Sequence, residues 1–333
     1  MQWNSGVAVV IPCYKVTRHI LPLLDEIGAE ADRIYCVDDA CPDGSGDLIE
    51  RSCKDPRVIV VRNPVNAGVG GAVMHGYRRA AEDGASVIVK LDGDGQMDPA
   101  LIPSFVSPIL GGDADYTKGN RFFDLRQIRS MPLIRRLGNL GLSFMAKVSS
   151  GYWDLFDPTN GYTAIHAEIA RRLPFESISS RYFFESDMLF RLNVMRAKVM
   201  DVPMDARYGD EVSGLKVSKI VGEFLTKHLR NAGKRLVYNY FLRDMNMASI
   251  NLLLGLPLMA FGVVFGAYHW IHSAEGDYFT PLGTIMLAAL SLTIGLQLVL
   301  AFLSHETSAM PRHALHPLLL RYPAARPSQA VSP

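Results

Sequence analysis

Two long stretches without a charged side chain constrain this sequence more than anything else in it. No Asp, Glu, Lys or Arg lies between Asp244 and Glu275, and none lies between Asp277 and Glu306. Leu252 to Ile271 is long enough to cross a bilayer as a helix, and Pro281 to Leu303 forms a second apolar body. Two uncharged spans of that length argue against a buried hairpin of a large soluble core, so a membrane hairpin is expected. Pro257 is tolerable in a membrane helix. The connection from His272 to Thr280 holds Glu275 and Asp277 and no Lys or Arg, whereas Leu215 to Arg243 carries Lys216, Lys219, Lys227, Arg230, Lys234, Arg235 and Arg243 against the one acid Glu223. By the positive-inside rule the basic side is cytoplasmic, and Arg312, Arg321 and Arg326 of the tail agree. Neither span holds Lys or Arg, which argues against an ion path.

The chain ahead of the hairpin alternates strand and helix. Val7–Ile11, Arg33–Val37, Val58–Val61 and Val87–Leu91 read as strands, the first as a continuous apolar run of the kind buried on both faces and the last as an apolar, β-branched run. Helical spacing runs from Thr17 to Ala31, and further helices are expected at Asp47–Cys53, Ala72–Glu82, Leu101–Leu110 and Met188–Arg196. Asp115–Arg121 and Lys198–Asp205 read as later strands. This alternation predicts an α/β fold with a mostly parallel sheet and helices on both faces. Ligands of such sheets sit beyond the carboxyl ends of the strands. Pro12-Cys13-Tyr14, Asp38-Asp39 and Asp92-Gly93-Asp94 all fall there.

The run Val87 to Gln96 ends in Asp92, Asp94 and Gln96 at i, i+2 and i+4, separated by Gly93 and Gly95. Two carboxylates and an amide oxygen form a hard donor set suited to Mg²⁺ or Mn²⁺, with substrate phosphates completing the shell.

Several classes are excluded. The formal net charge of +1 gives no reason to expect a nucleic-acid partner. Gly68-Val69-Gly70-Gly71 follows the third strand and has Val73 where a dinucleotide fingerprint needs its third glycine; no P-loop occurs. Cys13, Cys36, Cys41 and Cys53 form no Cys-x-x-Cys and are expected as reduced thiols. The start, Met1 to Gly6, lacks the basic region of a signal peptide, so the catalytic part is expected to stay where it is made. Arg129 to Lys147 is basic and amphipathic. It reads either as a solvated helix or as one lying at a lipid surface.

Val-Val-Ile-Pro-Cys-Tyr, Val-Asp-Asp-Ala-Cys-Pro-Asp-Gly-Ser, Arg-Asn-x-x-Asn-x-Gly-x-Gly-Gly-Ala and Leu-Asp-Gly-Asp-Gly-Gln together resemble glycosyltransferase family 2, with a GT-A fold. With Gly119-Asn120-Arg121, Asp157 to Tyr162 and the hairpin, the chain is most similar to the branch acting on polyprenyl phosphates, the dolichol-phosphate mannose synthases and undecaprenyl-phosphate glucosyltransferases. The resemblance implies a divalent ion on Asp92, Asp94 and Gln96, and a nucleotide pocket of Pro12, Tyr14 and Asp39. It places phosphate contacts at Arg121, Arg207, Arg136 and Lys216. Asp157, Glu185 and Asp187 remain as carboxylates that would serve as a base, bind sugar hydroxyls or make turns and caps. Lys15 and Val16 stand where the family's first motif usually has Asn-Glu, and the segment from Gly209 to Lys216 is stretched relative to the family.

The expected activity is inverting, metal-dependent transfer of a sugar from a GDP- or UDP-linked donor to undecaprenyl or another polyprenyl phosphate. The expected setting is a bacterial inner membrane, with a cytoplasmic catalytic domain and possible homo-oligomers. Two alternatives compete: transfer to a hydroxyl of a lipid-linked oligosaccharide, which needs a base, and a catalytically silent membrane scaffold. The expected parts are a GT-A domain over residues 1–214, basic juxtamembrane helices over 215–245, two spans over 246–305 and a flexible cytoplasmic tail over 306–333.

Overall fold

The computed structural model describes residues 6–123, 133–205, 217–276 and 278–321, with backbone only at 133–137 and 217–221. Arg207 and Lys216, and the side chain of Arg136, lie outside what is described. Contacts divide the described chain into two units, one holding residues up to Asn231 and from Pro311 onward, the other Ala232–Met310.

In the first unit seven strands form one sheet in the order β3-β2-β1-β4-β6-β5-β7. They are β1 (Val7–Cys13), β2 (Arg33–Asp38), β3 (Val58–Arg62), β4 (Val87–Lys90), β5 (Tyr116–Asn120), β6 (Thr163–His166) and β7 (Val199–Pro203). Every pairing is parallel except those of β6, which runs antiparallel to both β4 and β5. The uninterrupted apolar run of β1 follows from burial on both faces. Val7, Val9 and Ile11 enter one core and Ala8 and Val10 the other, because successive side chains of a strand point to opposite faces. Four-residue β6 is the strand that patterning does not reveal.

Helix α1 (Ile20–Glu26) is shorter than its periodic stretch, and α2 (Ser45–Ser52) follows β2. α3 (Gly68–Glu82) starts four residues earlier than expected, inside the Gly-Val-Gly-Gly stretch. Gly68 has φ +82°, and a Cβ on Gly70 would come within 2.7 Å of Phe184 Cβ. Those glycines therefore serve helix entry and packing, which accounts for a stretch resembling a dinucleotide motif. α4 (Ile102–Leu110) leads to β5, α5 (Leu133–Ser150) to β6, α6 (Ala167–Ala170) leaves β6, and α7 (Phe184–Val194) precedes β7.

α8 (Val217–Val237) is anchored in the first unit where Asn231 Nδ2 donates to Asp187 Oδ1 at 2.9 Å. His228 Nδ1 also meets Ser149 Oγ at 2.7 Å. Residues 306–321 were expected within a flexible tail. Instead they complete α10 and form α11 (His316–Arg321), with Leu315 and Leu319 packed on the core of the first unit.

The second unit holds α9 (Met247–Glu275) and α10 (Leu282–Ser308). Both are long and apolar enough to cross a membrane, and only 11 % and 17 % of their most apolar windows are buried, which does not fit a soluble core hairpin. Asn246 and Ser249 form a capping box that starts α9. The pair packs backbone to backbone: a Cβ on Gly262 would lie 2.6 Å from Leu292 N, and one on Gly295 2.5 Å from Met259 N. Arg235 Nη1 meets Glu306 Oε1 at 2.6 Å, both side chains buried, and Tyr240 donates to the same carboxylate.

Candidate active site

Strand β4 ends in a lysine that is only 1 % exposed. Its Nζ lies 2.8 Å from Asp92 Oδ1 and 3.3 Å from Glu185 Oε1. Burial alone would drive Lys90 toward its neutral form, but the charges of Asp92 and Glu185 outweigh it and hold the pKa above the ordinary value. Glu185 reaches this point from the first turn of α7, and Asp92 from the loop after β4. Gly161 closes the arrangement: a Cβ there would come within 2.5 Å of Asp92 Oδ2 and 2.6 Å of Lys90 Nζ. Only glycine lets the segment from Asp157 to Tyr162 approach the Asp92 carboxylate this closely.

Beside this floor a cavity of about 400 Å³ opens at the carboxyl edge of the sheet. Pro12, Tyr14, Lys15 and Val16 line it after β1, Asp39 after β2, Val69 and Ala72 from α3, and Asp92, Gly93 and Asp94 after β4. Five residues predicted for the site, Pro12, Tyr14, Asp39, Asp92 and Asp94, thus share one cavity. Gln96 lies just beyond, its backbone N–H donating to Asp94 Oδ1 at 3.0 Å. Asp39 is buried and takes hydrogen bonds from Asn63 Nδ2 (2.7 Å), Ala67 N (2.8 Å) and Gly68 N (2.8 Å). It therefore caps α3, and a ligand contacting it must share oxygens already committed to that helix. Lys15 has φ 60°, a left-handed conformation uncommon for lysine, and its amide donates to Cys41 Sγ at 3.1 Å.

Arg121 directly follows β5. Its Nε donates to Asp157 Oδ2 at 2.7 Å and its Nη2 to Asp157 Oδ1 at 3.0 Å, a bidentate clamp. Burial alone would raise the Asp157 carboxyl, but the Arg121 hydrogen bonds and charge hold it below the usual carboxylate range. Asp157 and Arg121, both expected here, are thus partners of each other. Asp187 accepts from Ser179 N at 2.8 Å and from Asn231 Nδ2, tying a loop and α8 to α7.

Three titratable residues near these groups escaped sequence reasoning: Lys90, Lys118 and Asp201. Lys118 is buried, donates to Asn160 O and is pushed down to about 8 by burial. Asp201 accepts from Asn120 Nδ2 at 3.0 Å and Phe156 N at 3.1 Å, and burial pushes its carboxyl up to about 6. Lys90, Thr163, Lys118 and Asp201 occupy one row across β4, β6, β5 and β7. The available signal was a lysine inside an otherwise apolar strand, in Val87-Ile88-Val89-Lys90 and Tyr116-Thr117-Lys118.

Among the described residues, no three His, Cys, Asp or Glu side chains gather at metal-binding distance. They therefore offer no all-protein cage. Asp92 and Asp94, which line one cavity, are the donor type that would hold Mg²⁺ or Mn²⁺ together with phosphate oxygens and water.

A model of the family described as "Glycosyl transferase family 2" matches residues 8–173. An undecaprenyl-phosphate mannosyltransferase of Micrococcus luteus is 32 % identical over 204 residues, covering 60 % of this chain and 82 % of that protein. A UDP-N-acetylglucosamine–dolichyl-phosphate N-acetylglucosaminyltransferase of Methanococcus voltae is 28 % identical over 216 residues, covering 61 % and 86 %. Among solved structures, glucosyl-3-phosphoglycerate synthase of Mycobacterium tuberculosis, in complex with Mn²⁺, UDP and glucosyl-3-phosphoglycerate, superposes with a TM-score of 0.51 at 19 % identity. It covers 69 % of this chain and 79 % of that one, a likeness of fold. The chain belongs to glycosyl transferase family 2 and is a glycosyltransferase with a GT-A sheet.

Proposed function

We propose that this chain transfers a sugar from a GDP- or UDP-linked donor to the phosphate of a membrane polyprenol such as undecaprenyl phosphate, with inversion at the anomeric carbon. The observation that carries the proposal is the carboxylate-lined cavity at the sheet edge together with the Arg121–Asp157 clamp, whose aspartate begins the segment that brings Gly161 against Asp92. The named activities of the Micrococcus and Methanococcus relatives support the acceptor class.

Pro12, Tyr14 and Asp39 hold the nucleotide, and Asp92 and Asp94, with Gln96, hold Mg²⁺ or Mn²⁺. That ion, when bound, neutralises charge on the donor diphosphate. Arg121 places a phosphate next to the anomeric carbon, with Arg136, Arg207 and Lys216 as further phosphate contacts. A phosphate oxygen of the acceptor attacks that carbon, the bond to the diphosphate breaks, and the electron pair leaves with the nucleoside diphosphate. A phosphate monoester has its second pKa near ~6 and is largely dianionic at neutral pH, so no base has to remove a proton. The carboxylates fit that chemistry: Asp157 is clamped by Arg121, Glu185 by Lys90, and Asp187 by amides. Transfer to a hydroxyl would need one of them as a base. The setting proposed is the bacterial inner membrane; the apolar hairpin supports a multi-pass protein, and the basic residues before α9 support a cytoplasmic sheet domain.

The test is a panel of radiolabelled GDP- and UDP-sugars given to membranes containing the protein, with added undecaprenyl phosphate. Label is expected in a lipid-phosphate product, abolished by a chelator and lowered by about 1,000-fold in Asp94→Ala. Label on a glycan hydroxyl would overturn the acceptor class. No transfer from any donor, with no metal-dependent donor binding, would favour a silent scaffold.

A further inference from the structure

Asp201 stands behind the Arg121–Asp157 clamp rather than in it. Its Oδ2 accepts from the side-chain amide of Asn120, the residue before Arg121, and from the backbone N–H of Phe156, the residue before Asp157. Asn120 in turn reaches across Arg121, its Oδ1 accepting from Phe122 N at 2.9 Å. Asp157 Oδ2 also accepts the backbone N–H of Arg121 at 3.3 Å. One carboxylate oxygen on β7 therefore ties together the two chain segments that present the clamp, one from the end of β5 and one from the loop that leads to β6. The other oxygen, Oδ1, is buried and meets no hydrogen-bond donor among the described residues. A buried acceptor without a partner is costly, and its retention beside two well-made bonds points to a task for the side chain.

We propose that Asp201 is a positioning residue for the Arg121–Asp157 clamp, acting as a hydrogen-bond acceptor through Oδ2 and not through its charge. The inference rests on the reading that Arg121 contacts a phosphate in the reaction. Loss of the acceptor leaves Asn120 and Phe156 to drift independently, so Arg121 no longer meets Asp157 and the phosphate in one geometry. A misplacement of about 1 Å near reacting groups costs about 100-fold in rate.

Two substitutions separate this role from general support of the fold. Asp201→Asn keeps an oxygen where Oδ2 lies and removes the charge, and Asp201→Ala removes the acceptor. The full-length protein in membranes is assayed for transfer to polyprenyl phosphate, and the detergent-solubilised protein for metal-dependent nucleotide-sugar binding and thermal unfolding. Asp201→Asn is expected to keep turnover within about threefold of the parent. Asp201→Ala is expected to lose about 100-fold in kcat/KM for the lipid phosphate, with donor affinity changed by less than about threefold. Equal loss in both variants overturns the acceptor role, because the charge would then be what matters. Equal loss of donor binding and turnover in Asp201→Ala overturns positioning in favour of general destabilisation. Arg121→Ala serves as the control for the underlying reading. If it leaves transfer intact, the assignment of Arg121 fails. If it abolishes transfer while Asp201→Ala does not impair it, the inference about Asp201 fails alone.

Discussion

Asp115 lies just before β5, and Asp157 grips the arginine just after it. Both carboxylates are sealed from solvent, and both are held below the ordinary carboxylate range by their partners against the pull of burial. The partners differ. Asp115 takes hydrogen bonds from Lys198 N, Leu315 N, His316 N and His316 Nδ1, and the His316 side chain is 6 % exposed. His316 also stacks on His166, ring centres 4.1 Å apart. Asp157 faces an arginine whose side chain is 35 % exposed. Two buried aspartates at opposite ends of one strand thus differ in whether the side chain they hold is itself closed in. A closed pair fixes structure; a cation held rigidly at one end and wet at the other can meet a ligand.

The contrast breaks most readily through turnover. Arg121→Lys keeps the charge and loses the two-pronged bond, so kcat/KM for transfer is expected to fall by about 100-fold with little change in melting temperature. Asp115→Asn, assayed at a temperature where it is folded, is expected to leave kcat/KM unchanged; a loss as deep as that of Arg121→Lys would erase the distinction. Next in size is stability. Asp115→Ala strands several buried N–H donors and is expected to cost about 3 kcal/mol, read as a lowered unfolding midpoint. A smaller effect concerns pH. Burial lowers His166 from 6.5 to about 4, so the folded state binds fewer protons than the unfolded one between those values. Stability is therefore full above about 6.5 and is lost as pH falls toward about 4. His166→Asn, whose oxygen can still accept from Glu168 N, is expected to flatten that fall by about 1–2 kcal/mol. His228, also lowered to about 4, keeps its own share of the slope. The depressed carboxylate of Asp157 acts only below the unfolded carboxylate range, near ~3.9, so acid should loosen the Asp115 end first. The smallest effect lies at the cavity mouth. Lys15→Asn relieves the left-handed backbone at φ 60° and is expected to gain about 0.5 kcal/mol without impairing donor binding, measured by melting and calorimetry.

Legibility in the sequence followed the same division. β1 shows as a continuous apolar run because both faces are covered, and Asp92 and Asp94 stand out because the apolar, β-branched stretch of β4 leads into them. Gly68 to Gly71 was visible as unusual, and its cause, contact with Phe184 and entry into α3, required the packed structure. β6 stayed hidden because four residues hold too little periodicity, and its antiparallel course cannot be read from alternation alone. Lys90, Lys118 and Asp201 stayed hidden because a charge within a strand normally marks a wet face. Their burial is tolerable only when carboxylates or amides from distant segments arrive to meet them. The bond between Asp115 and His316 joins residues 201 positions apart, with no local trace of either partner.

That span sets an order of events during synthesis. The chain departs from the sheet unit at Asn231, builds α9 and α10, and returns at Pro311, so the hairpin is inserted into the unit and not appended to it. A ribosome completes both apolar helices before it makes Leu315 and His316, and until then the amide-binding face of Asp115 has no occupant from that segment. The sheet unit is therefore finished only after the hairpin exists. Removing residues 311–333 should weaken a domain that begins some three hundred residues earlier.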